Sequence, residues 1–282
     1  MHLWRRLAAP RWLNANEEAL RSMAGHRLVI VERPPRKRIM LEVVCKSPQE
    51  ALSLLQKFGG RVEEIPRDWW KRFSPARKSK PLRIGKRLLV TNVEGTFASR
   101  WSPDQGASHL VIPAGLAFGT GEHATTAMSL RLLEQITRSV KRGTSLLDLG
   151  TGSGIFALAA RRFGIEHVLA IDNDPQAITT ARENARINRI KRIEFEIADA
   201  RQWRPGRRAV DILVANLFSE LLIEILPKLR RCLVPNGWLI LSGVMRRQER
   251  DMMRALKLNK ITTLRVRRRG KWIAILATKS AR

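Results

Sequence analysis

The fold of this chain is decided by the stretch Leu146-Leu-Asp-Leu-Gly-Thr-Gly-Ser-Gly154, an apolar run that ends in glycines at positions 150, 152 and 154. A helical pattern follows at residues 155–163, and a second apolar run, Val168–Asp172, ends in an acidic residue. Strand, glycine-rich turn and helix in that order are typical of a ligand site. Glycine lets backbone N–H groups approach the ligand, and the N-terminus of the helix favours its polar or negative groups.

The spacing of the glycines indicates which ligand this turn binds. A dinucleotide site needs a third glycine three residues after the second, but Ile155 stands there. The observed G-x-G-x-G is typical of enzymes that bind S-adenosylmethionine. We expect Gly150 and Gly152 to contact this cofactor, and Asp172 to accept hydrogen bonds from its ribose hydroxyls. A plain tight turn is the alternative, but the Asp174-Pro175 helix start and the strands that follow favour the ligand site.

Elements on both sides of this turn alternate between strand and helix patterns. The expected helices are residues 127–140, 155–163, 175–188, 218–232 and 246–258, and the expected strands are 168–172, 193–198, 210–215, 238–242, 261–266 and 272–278. Alternation predicts a parallel sheet with helices on both faces, and the short connection 267–271 makes the last two strands an antiparallel hairpin. We therefore predict an α/β fold of the class I S-adenosylmethionine-dependent methyltransferase type, Rossmann-like, with a seven-stranded sheet and a terminal antiparallel hairpin.

The first part of the chain predicts a second, smaller domain. A strand (39–45), a helix (48–58) and an extended segment (61–65) indicate a small α+β domain over residues 1–65. Residues 66–104 are predicted to be a basic linker with connecting strands, and residues 105–282 the catalytic domain. Further strands are expected at 87–91 and 109–112.

The net charge of +28 is unevenly distributed along the 282 residues. Residues 1–100 carry 22 basic and 9 acidic residues, residues 101–200 carry 11 of each, and residues 201–282 carry 20 and 5. Basic flanks suit a polyanion such as RNA or a ribonucleoprotein. A general excess of solvated arginine is the alternative interpretation.

Composition excludes several other classes of protein. The two cysteines and five histidines are scattered, so we predict buried thiols and no metal site. Apolar runs fall short of the ~18 residues of a membrane span. We expect a cytoplasmic protein, a monomer, that makes no membrane contact.

A further segment, Gly115-Leu-Ala-Phe-Gly-Thr-Gly-Glu-His-Ala-Thr-Thr126, resembles the loop F-G-T-G-x-H-x-T-T of the ribosomal protein L11 methyltransferase (PrmA) family. Residues 147–154, 171–175 and 214–217 are similar to the other cofactor motifs of this family, in the same order. The resemblance covers roughly residues 105–280. It implies that Thr126, Gly150, Asp172 and Asn216 contact S-adenosylmethionine, and that the N-terminal domain recognises a ribosomal protein.

Roles for the remaining candidate residues follow from their positions. Asn216 ends a strand, where its amide oxygen is predicted to orient either the methionine end of the cofactor or the incoming amine. Phe118 is expected to line the methyl site, and Asp199 to lie near the adenine edge. His123 is expected to fix its loop by a hydrogen bond, the interpretation that we favour, or to relay a proton. The loop Gly119-Thr120-Gly121 is expected to approach the cofactor, and Asp148 to hold the glycine-rich turn.

Four functions are consistent with this sequence. The first is a methyltransferase acting on amino groups of a ribosomal protein, namely lysine side chains, the N-terminal amine or both, with possible rRNA contact through the basic flanks. The second is an RNA base methyltransferase, which the net charge suits. However, Asn216 is followed by Leu217 and Phe218 rather than by the Pro-Pro-aromatic segment that stacks a flipped base. The methyltransferase of another protein lysine, or a cofactor-binding protein without activity, completes the alternatives.

Overall fold

A computed structural model describes residues 2–24, 27–32, 38–45, 47–64, 81–92, 108–113, 123–204 and 209–280. The chain forms two compact units, which divide between Pro75 and Ala76. Each unit has hydrophobic core residues of its own. None of the described helices is both long and apolar enough to cross a membrane.

In its described residues, the first unit forms a four-stranded antiparallel sheet with two helices. Its elements are β1 (His2–Ala8), α1 (Pro10–Ala24), β2 (Leu28–Glu32), β3 (Ile39–Cys45), α2 (Pro48–Phe58) and β4 (Arg61–Glu64). The strand order is β2-β3-β1-β4, so β1 lies between β3 and β4 and is antiparallel to both. The sequence patterns of β3, α2 and β4 are confirmed, whereas β1, α1 and β2 were not predicted.

The core of the first unit explains why these segments fold. Residues of β3 alternate between buried and half-buried, as expected when one face of a sheet packs on helices. Trp4 of β1 is fully buried, and its indole N–H donates to the carbonyl oxygen of Gly59 at 2.7 Å. Ser47 caps α2, because its Oγ accepts from the backbone N–H of Glu50 at 3.1 Å.

The second unit contains a large sheet and a small one. The small sheet comprises β5 (Leu82–Ile84), β6 (Leu88–Thr91) and β7 (Ser108–Val111). Side chains of all three strands, including Ile84, Leu88 and Leu110, join the core of the second unit. Part of the range predicted as a linker therefore belongs to this unit, and β5 was missed inside its basic sequence.

The large sheet has seven strands in the order β10-β9-β8-β11-β12-β14-β13. The strands are β8 (Ser145–Leu149), β9 (His167–Asp172), β10 (Ile193–Ile197), β11 (Val210–Asn216), β12 (Leu233–Met245), β13 (Ile261–Arg269) and β14 (Trp272–Lys279). Strands β8 to β12 pair in parallel, and β14 is antiparallel to both β12 and β13. This architecture confirms the predicted α/β class, the seven strands and the terminal hairpin.

Helices cover both faces of this sheet. They are α3 (Ala124–Ile136), α4 (Ile155–Arg162), α5 (Pro175–Ile187), α6 (Ser219–Cys232) and α7 (Glu249–Leu258). Alternate residues of the central strands enter two separate cores: Leu146 lies in the core under α3 and α4, and Leu147 in the core under α6 and α7. The sequence of a strand that is buried on both faces is a continuous apolar run.

Several boundaries differ from the predicted ones. Helix α3 begins at Ala124 rather than at residue 127, because His123 already caps it. A 3-10 turn, Arg246–Gln248, separates β12 from α7, where a continuous helix was predicted. Strand β13 continues through Arg269, since pairing with β14 holds the arginine-rich segment extended.

Candidate functional site

A cleft of about 380 Å³ opens at the carboxyl ends of the central strands of the second unit. The chain proceeds from β8 outward through β9 to β10, and then returns to the other side of β8 for β11. Ligands of open α/β sheets bind at such a reversal of strand order. The described residues that line the cleft are His123, Thr125, Leu149, Gly150, Gly152, Asp172, Asn173, Ala198, Asp199, Ala200, Arg201, Asn216, Leu217, Phe218, Leu221, Gly243 and Trp272.

The glycine-rich turn forms one wall of the cleft. Gly150, Gly152 and Gly154 have φ angles of +75°, +54° and +81°, which favour glycine over any residue with a Cβ. The backbone N–H groups of Gly150 and Thr151 both donate to the carbonyl oxygen of Ile171, at 2.8 and 2.9 Å. These bonds fix the turn against the end of β9.

Asp148 holds this turn from below. Its Oδ2 accepts from Thr151 Oγ1 at 2.6 Å and from the backbone N–H of Ala157, in the first turn of α4, at 3.1 Å. Complete burial raises the pKa of this carboxyl group to about 7. Its Oδ1 is buried without a hydrogen-bond partner. The carboxyl group therefore ties the turn to the helix, as the sequence indicated.

Asp172 stands at the end of β9 and lines the cleft. Its Oδ2 accepts from the backbone N–H of Gly152 at 2.9 Å, and its Oδ1 from that of Asp174 at 3.1 Å. A carboxylate has about four acceptor positions, so about two remain for a ligand. The two backbone bonds fix the orientation of the carboxylate before any ligand arrives.

Asp199 follows β10 and lines the same end of the cleft. Its Oδ1 accepts from the backbone N–H of Arg201 at 2.7 Å, and its carbonyl oxygen accepts from the N–H groups of Gln202 and Trp203. The tight turn places Ala198 and Ala200 on either side of Asp199 in the lining. This end of the cleft combines a carboxylate with small apolar side chains.

Asn216, at the end of β11, is the last member of a chain of hydrogen bonds. Ser129 Oγ of α3 donates to Ser242 Oγ of β12 at 2.8 Å, and Ser242 Oγ donates to Asn216 Oδ1 at 2.9 Å. Both serines are fully buried. Since its oxygen is engaged by Ser242, the amide of Asn216 has a fixed orientation. The sequence predicted the position of Asn216 but not the serines behind it.

His123 caps α3 and lines the cleft. Its Nδ1 lies 2.7 Å from Thr125 Oγ1 and accepts from the Thr125 backbone N–H at 3.4 Å. Its ring packs edge-on against Trp272, with centroids 5.0 Å apart. Burial and the charge of Lys271 lower the pKa of His123 below its ordinary value, so the ring is neutral at pH 7. The described contacts of His123 thus cap α3 and pack its ring against Trp272.

Thr126 lies beside the cleft without lining it. Its side chain is fully buried and its Oγ1 has no hydrogen-bond partner, whereas the neighbouring Thr125 is part of the lining. Phe118, Gly119, Thr120 and Gly121 lie outside the described residues. No group of three or more His, Cys, Asp or Glu side chains with metal-binding geometry occurs in the described part of the chain.

The cleft is also lined by residues that were not predicted as site residues, among them Trp272, Leu217, Phe218 and Gly243. Trp272 comes from the start of β14, and Leu217 and Phe218 follow Asn216 directly. Gly243, with a φ of +87°, sits at a β-bulge in β12 and approaches the backbone of Leu217. Trp272 is contributed by the hairpin, which the sequence places far from the glycine-rich turn.

The chain matches known proteins over most of its length. The model of the family described as ribosomal protein L11 methyltransferase (PrmA) matches residues 20–280. A "Ribosomal protein L11 methyltransferase" of Symbiobacterium thermophilum is 37% identical over 221 residues, which are 77% of this chain and 67% of that protein. A protein of the same name from Desulforapulum autotrophicum is 38% identical over 67% of this chain and 63% of its own length.

A solved structure is also similar to this chain. The crystal structure of a ribosomal protein L11 methylase from Lactobacillus delbrueckii subsp. bulgaricus has a TM-score of 0.61 and 27% identity, over 71% of this chain and 99% of that one. The similarity to the Symbiobacterium and Desulforapulum proteins spans about two thirds of their length.

Proposed function

The chain belongs to the ribosomal protein L11 methyltransferase family, and from this premise we propose that it methylates amino groups of ribosomal protein L11. The methyl donor of this family is S-adenosylmethionine. The acceptors that we propose are lysine side chains, the N-terminal amine or both. The observation that carries the proposal is a cleft with fixed polar groups at the strand ends, within the segment that matches the family.

The residues of the cleft suit S-adenosylmethionine, which supplies a methyl group on a positively charged sulfur. The positive φ angles at Gly150 and Gly152 let the backbone approach a ligand closely. Asp172 retains acceptor positions for ribose hydroxyls, and Ala198 and Ala200 flank Asp199 with apolar surface for an adenine ring. We therefore assign the adenosine part to the β9 and β10 end of the cleft.

We assign the acceptor amine to the end of the cleft near Asn216. An amine needs a free electron pair, but a lysine has a reference pKa of ~10.4 and is mostly protonated at pH 7. Removal from water disfavours the charged form. Leu217, Phe218 and Trp272 line this end with apolar surface. The oriented amide of Asn216 supplies a polar contact that holds the amine in line with the methyl group.

The roles of the remaining residues follow from their contacts. We propose that His123 acts as the cap of α3, through Nδ1, and as packing for Trp272. We keep Thr126, Phe118 and the loop 119–121 as proposed cofactor or substrate contacts. The first unit is proposed to recognise the ribosomal protein.

The test is methyl transfer from radiolabelled S-adenosylmethionine to purified ribosomal protein L11, compared with ribosomal RNA. We expect label in the protein, at amino groups identified by mass spectrometry. Label in RNA and none in protein would replace this proposal with the RNA base methyltransferase.

The Asp172→Ala variant tests the cofactor assignment separately. Each hydrogen bond to a charged group contributes about 1.5–3 kcal/mol, so loss of two should weaken binding of S-adenosylhomocysteine at least tenfold. Calorimetric titration measures this affinity, and Asp251→Asn on the exposed face of α7 serves as the control. Unchanged affinity in the Asp172 variant would contradict the ribose assignment.

A further inference from the structure

The edge strand β13 presents three arginines on one face of the large sheet. Arg265, Arg267 and Arg269 occupy alternate positions, opposite Leu276, Ala274 and Trp272 of β14. Residues directly opposite in an antiparallel pair share a face. Because Leu276 and Ala274 belong to the core under α3 and α4, the arginines leave the sheet on that side. We call these three residues the arginine stripe.

On the other face of β13, the arginine forms an ion pair. Arg268 pairs with Glu249 of α7, with Nε 2.9 Å from Oε2. Within the part of the chain that the structure describes, no residue of the arginine stripe forms an ion pair. The Nε of Arg267 is buried and lacks a hydrogen-bond partner. The stripe therefore concentrates positive charge that no described carboxylate neutralises.

Helix α3 adds a fourth cation to this side of the sheet. Arg131 is half-buried, and its Nη1 donates within the helix to the carbonyl oxygen of Ala127 at 3.3 Å. Burial, followed by the charges of Arg269 and Arg267, lowers the pKa of Arg131. Repulsion among these guanidinium groups is unfavourable in the free protein, and an anionic partner would relieve it.

We propose that the arginine stripe, together with Arg131, binds the phosphate backbone of RNA beside the cleft. Alternate residues of a strand are about 6.8 Å apart, so the stripe offers guanidinium groups in a line over about 14 Å. A guanidinium group matches phosphate oxygens through two parallel hydrogen bonds. Val266 and Arg268 lie on the opposite face, so each side chain that residues 265–269 present on this face is an arginine.

The position of the stripe relates it to the proposed methylation site. Arg269 is paired directly with Trp272, which lines the cleft and contacts His123. RNA on the stripe would therefore lie at the mouth of the cleft on the hairpin side. The stripe itself carries no aromatic side chain for base stacking, so its phosphate contacts are independent of base sequence. The inference depends on β13 and α3, and not on which amine is methylated.

Fluorescence anisotropy with a labelled oligouridylate of about 20 nucleotides tests the proposal on the full chain. The variant carries Arg265→Gln, Arg267→Gln and Arg269→Gln. The matched control carries Arg250→Gln, Arg254→Gln and Lys257→Gln, which removes the same charge from exposed positions of α7. A further variant has lysine at all three stripe positions. It preserves the charge but cannot form the two parallel hydrogen bonds of a guanidinium group.

We expect the stripe variant to bind at least tenfold more weakly at about 0.1 M salt. Loss of three phosphate contacts should also reduce the slope of log K against log salt by about 2. The control should change the affinity less than threefold, the lysine variant should lie between the two, and oligoadenylate should give the same order. Thermal melting and titration with S-adenosylhomocysteine verify that each variant is folded with an intact cleft.

Two results would overturn this inference. Equal losses in the stripe variant and in the α7 control would assign RNA binding to the overall charge. Competition by polyglutamate that exceeds competition by RNA, and that is lost in the stripe variant, would make the stripe a site for an acidic polypeptide. Methylation of RNA-free ribosomal protein L11 is measured separately, so failure of RNA binding and failure of the proposed function are distinguishable.

Discussion

At the scale of single residues, Asp148 couples the stability of the fold to pH. Its pKa is raised from 3.8 to about 7 by burial, so the folded state binds a proton that the unfolded state has lost between these values. Stability must then fall as the pH rises from about 4 to about 7 and stay level above. An asparagine at this position would keep an acceptor for Thr151 and Ala157 without this charge.

We therefore predict that Asp148→Asn stabilises the protein at about pH 8 by on the order of 2 kcal/mol, and has little effect near pH 4. Urea unfolding of the cofactor-free protein across this pH range measures the difference. Asp251→Asn, at an exposed position, controls for the loss of one carboxylate. A stability difference that does not vary with pH would show that the Asp148 carboxyl group is not the titrating group.

Ser242 is predicted to act on methyl transfer through Asn216. In Ser242→Ala, the amide oxygen of Asn216 and the hydroxyl group of Ser129 both lose their partner. We expect kcat to fall about tenfold with a much smaller change in the affinity for S-adenosylhomocysteine, because the fixed amide orientation is lost.

Two further variants separate positioning from packing at this site. Ser242→Thr retains a hydroxyl group and should recover part of the activity, while Ser129→Ala leaves the Ser242–Asn216 bond in place and should cost less than Ser242→Ala. If Ser129→Ala and Ser242→Ala lower kcat equally, the orientation of Asn216 does not depend on the direct bond.

At the scale of elements, the bulge in β12 is predicted to be intolerant of a side chain. Gly243 has a φ of +87°, and a Cβ at this position would overlap the carbonyl group of Leu217. Backbone cannot move aside as a flexible side chain can. We expect Gly243→Ala to destabilise the protein by more than about 2 kcal/mol and to weaken cofactor binding, since Leu217 lines the cleft.

Gly270, in the β13–β14 turn, is the matched control for this prediction. It has a φ of +57°, but a Cβ there would have nothing within 4 Å. Gly270→Ala should therefore cost about 1 kcal/mol of backbone strain alone. Thermal unfolding of both variants separates the effect of steric overlap from that of backbone strain. Equal losses of stability in the two variants would contradict a steric overlap at Gly243.

The elements that the sequence predicted well are those with a local physical signature. Strands such as β8 are buried on both faces and read as apolar runs, and α5 carries a capping aspartate followed by proline at its start. Strand β1 was not predicted because Arg5 and Arg6 interrupt its apolar pattern. In the structure Arg5 pairs across the sheet with Glu42 and Glu63, a long-range arrangement that no local window contains.

The residues of the candidate site also divide into those with a local sequence signal and those placed by long-range strand pairing. Gly150, Asp172 and Asn216 were predicted because each ends a strand, and parallel strands bring their ends together. Trp272 and Ser242 were not, because their place in the site depends on the pairing of β12 with β14. Sequence patterns reveal which residues end a strand, whereas the neighbours of that end are set by the order of strands in the sheet.

At the scale of the whole molecule, each unit has its own core. The first buries Trp4, Leu20 and Leu41 in a single cluster, and the second has two clusters on the faces of its large sheet. Units with separate cores are expected to fold separately. The described residues that line the cleft belong to the second unit. We therefore expect cofactor binding to be independent of residues 1–75.

We predict that a chain of residues 76–282 binds S-adenosylhomocysteine within about twofold of the full-length affinity but does not methylate ribosomal protein L11. The physical reason is that a polypeptide amine alone offers little surface for recognition, and a specific protein contact buries on the order of 800 Å² on each partner. We propose that the first unit supplies such a surface. Calorimetry measures cofactor affinity, and transfer of a radiolabelled methyl group measures activity.

The comparison needs controls for folding and for chemistry. Far-ultraviolet circular dichroism and thermal melting verify that residues 76–282 fold alone, and a short lysine peptide at high concentration reports whether the catalytic cleft still transfers methyl groups. We expect slow transfer to this peptide at similar rates with and without residues 1–75, because recognition does not limit a saturating substrate. Transfer to intact ribosomal protein L11 at the full rate by the truncated chain would place substrate selection in the second unit, and would make the first unit dispensable for methylation.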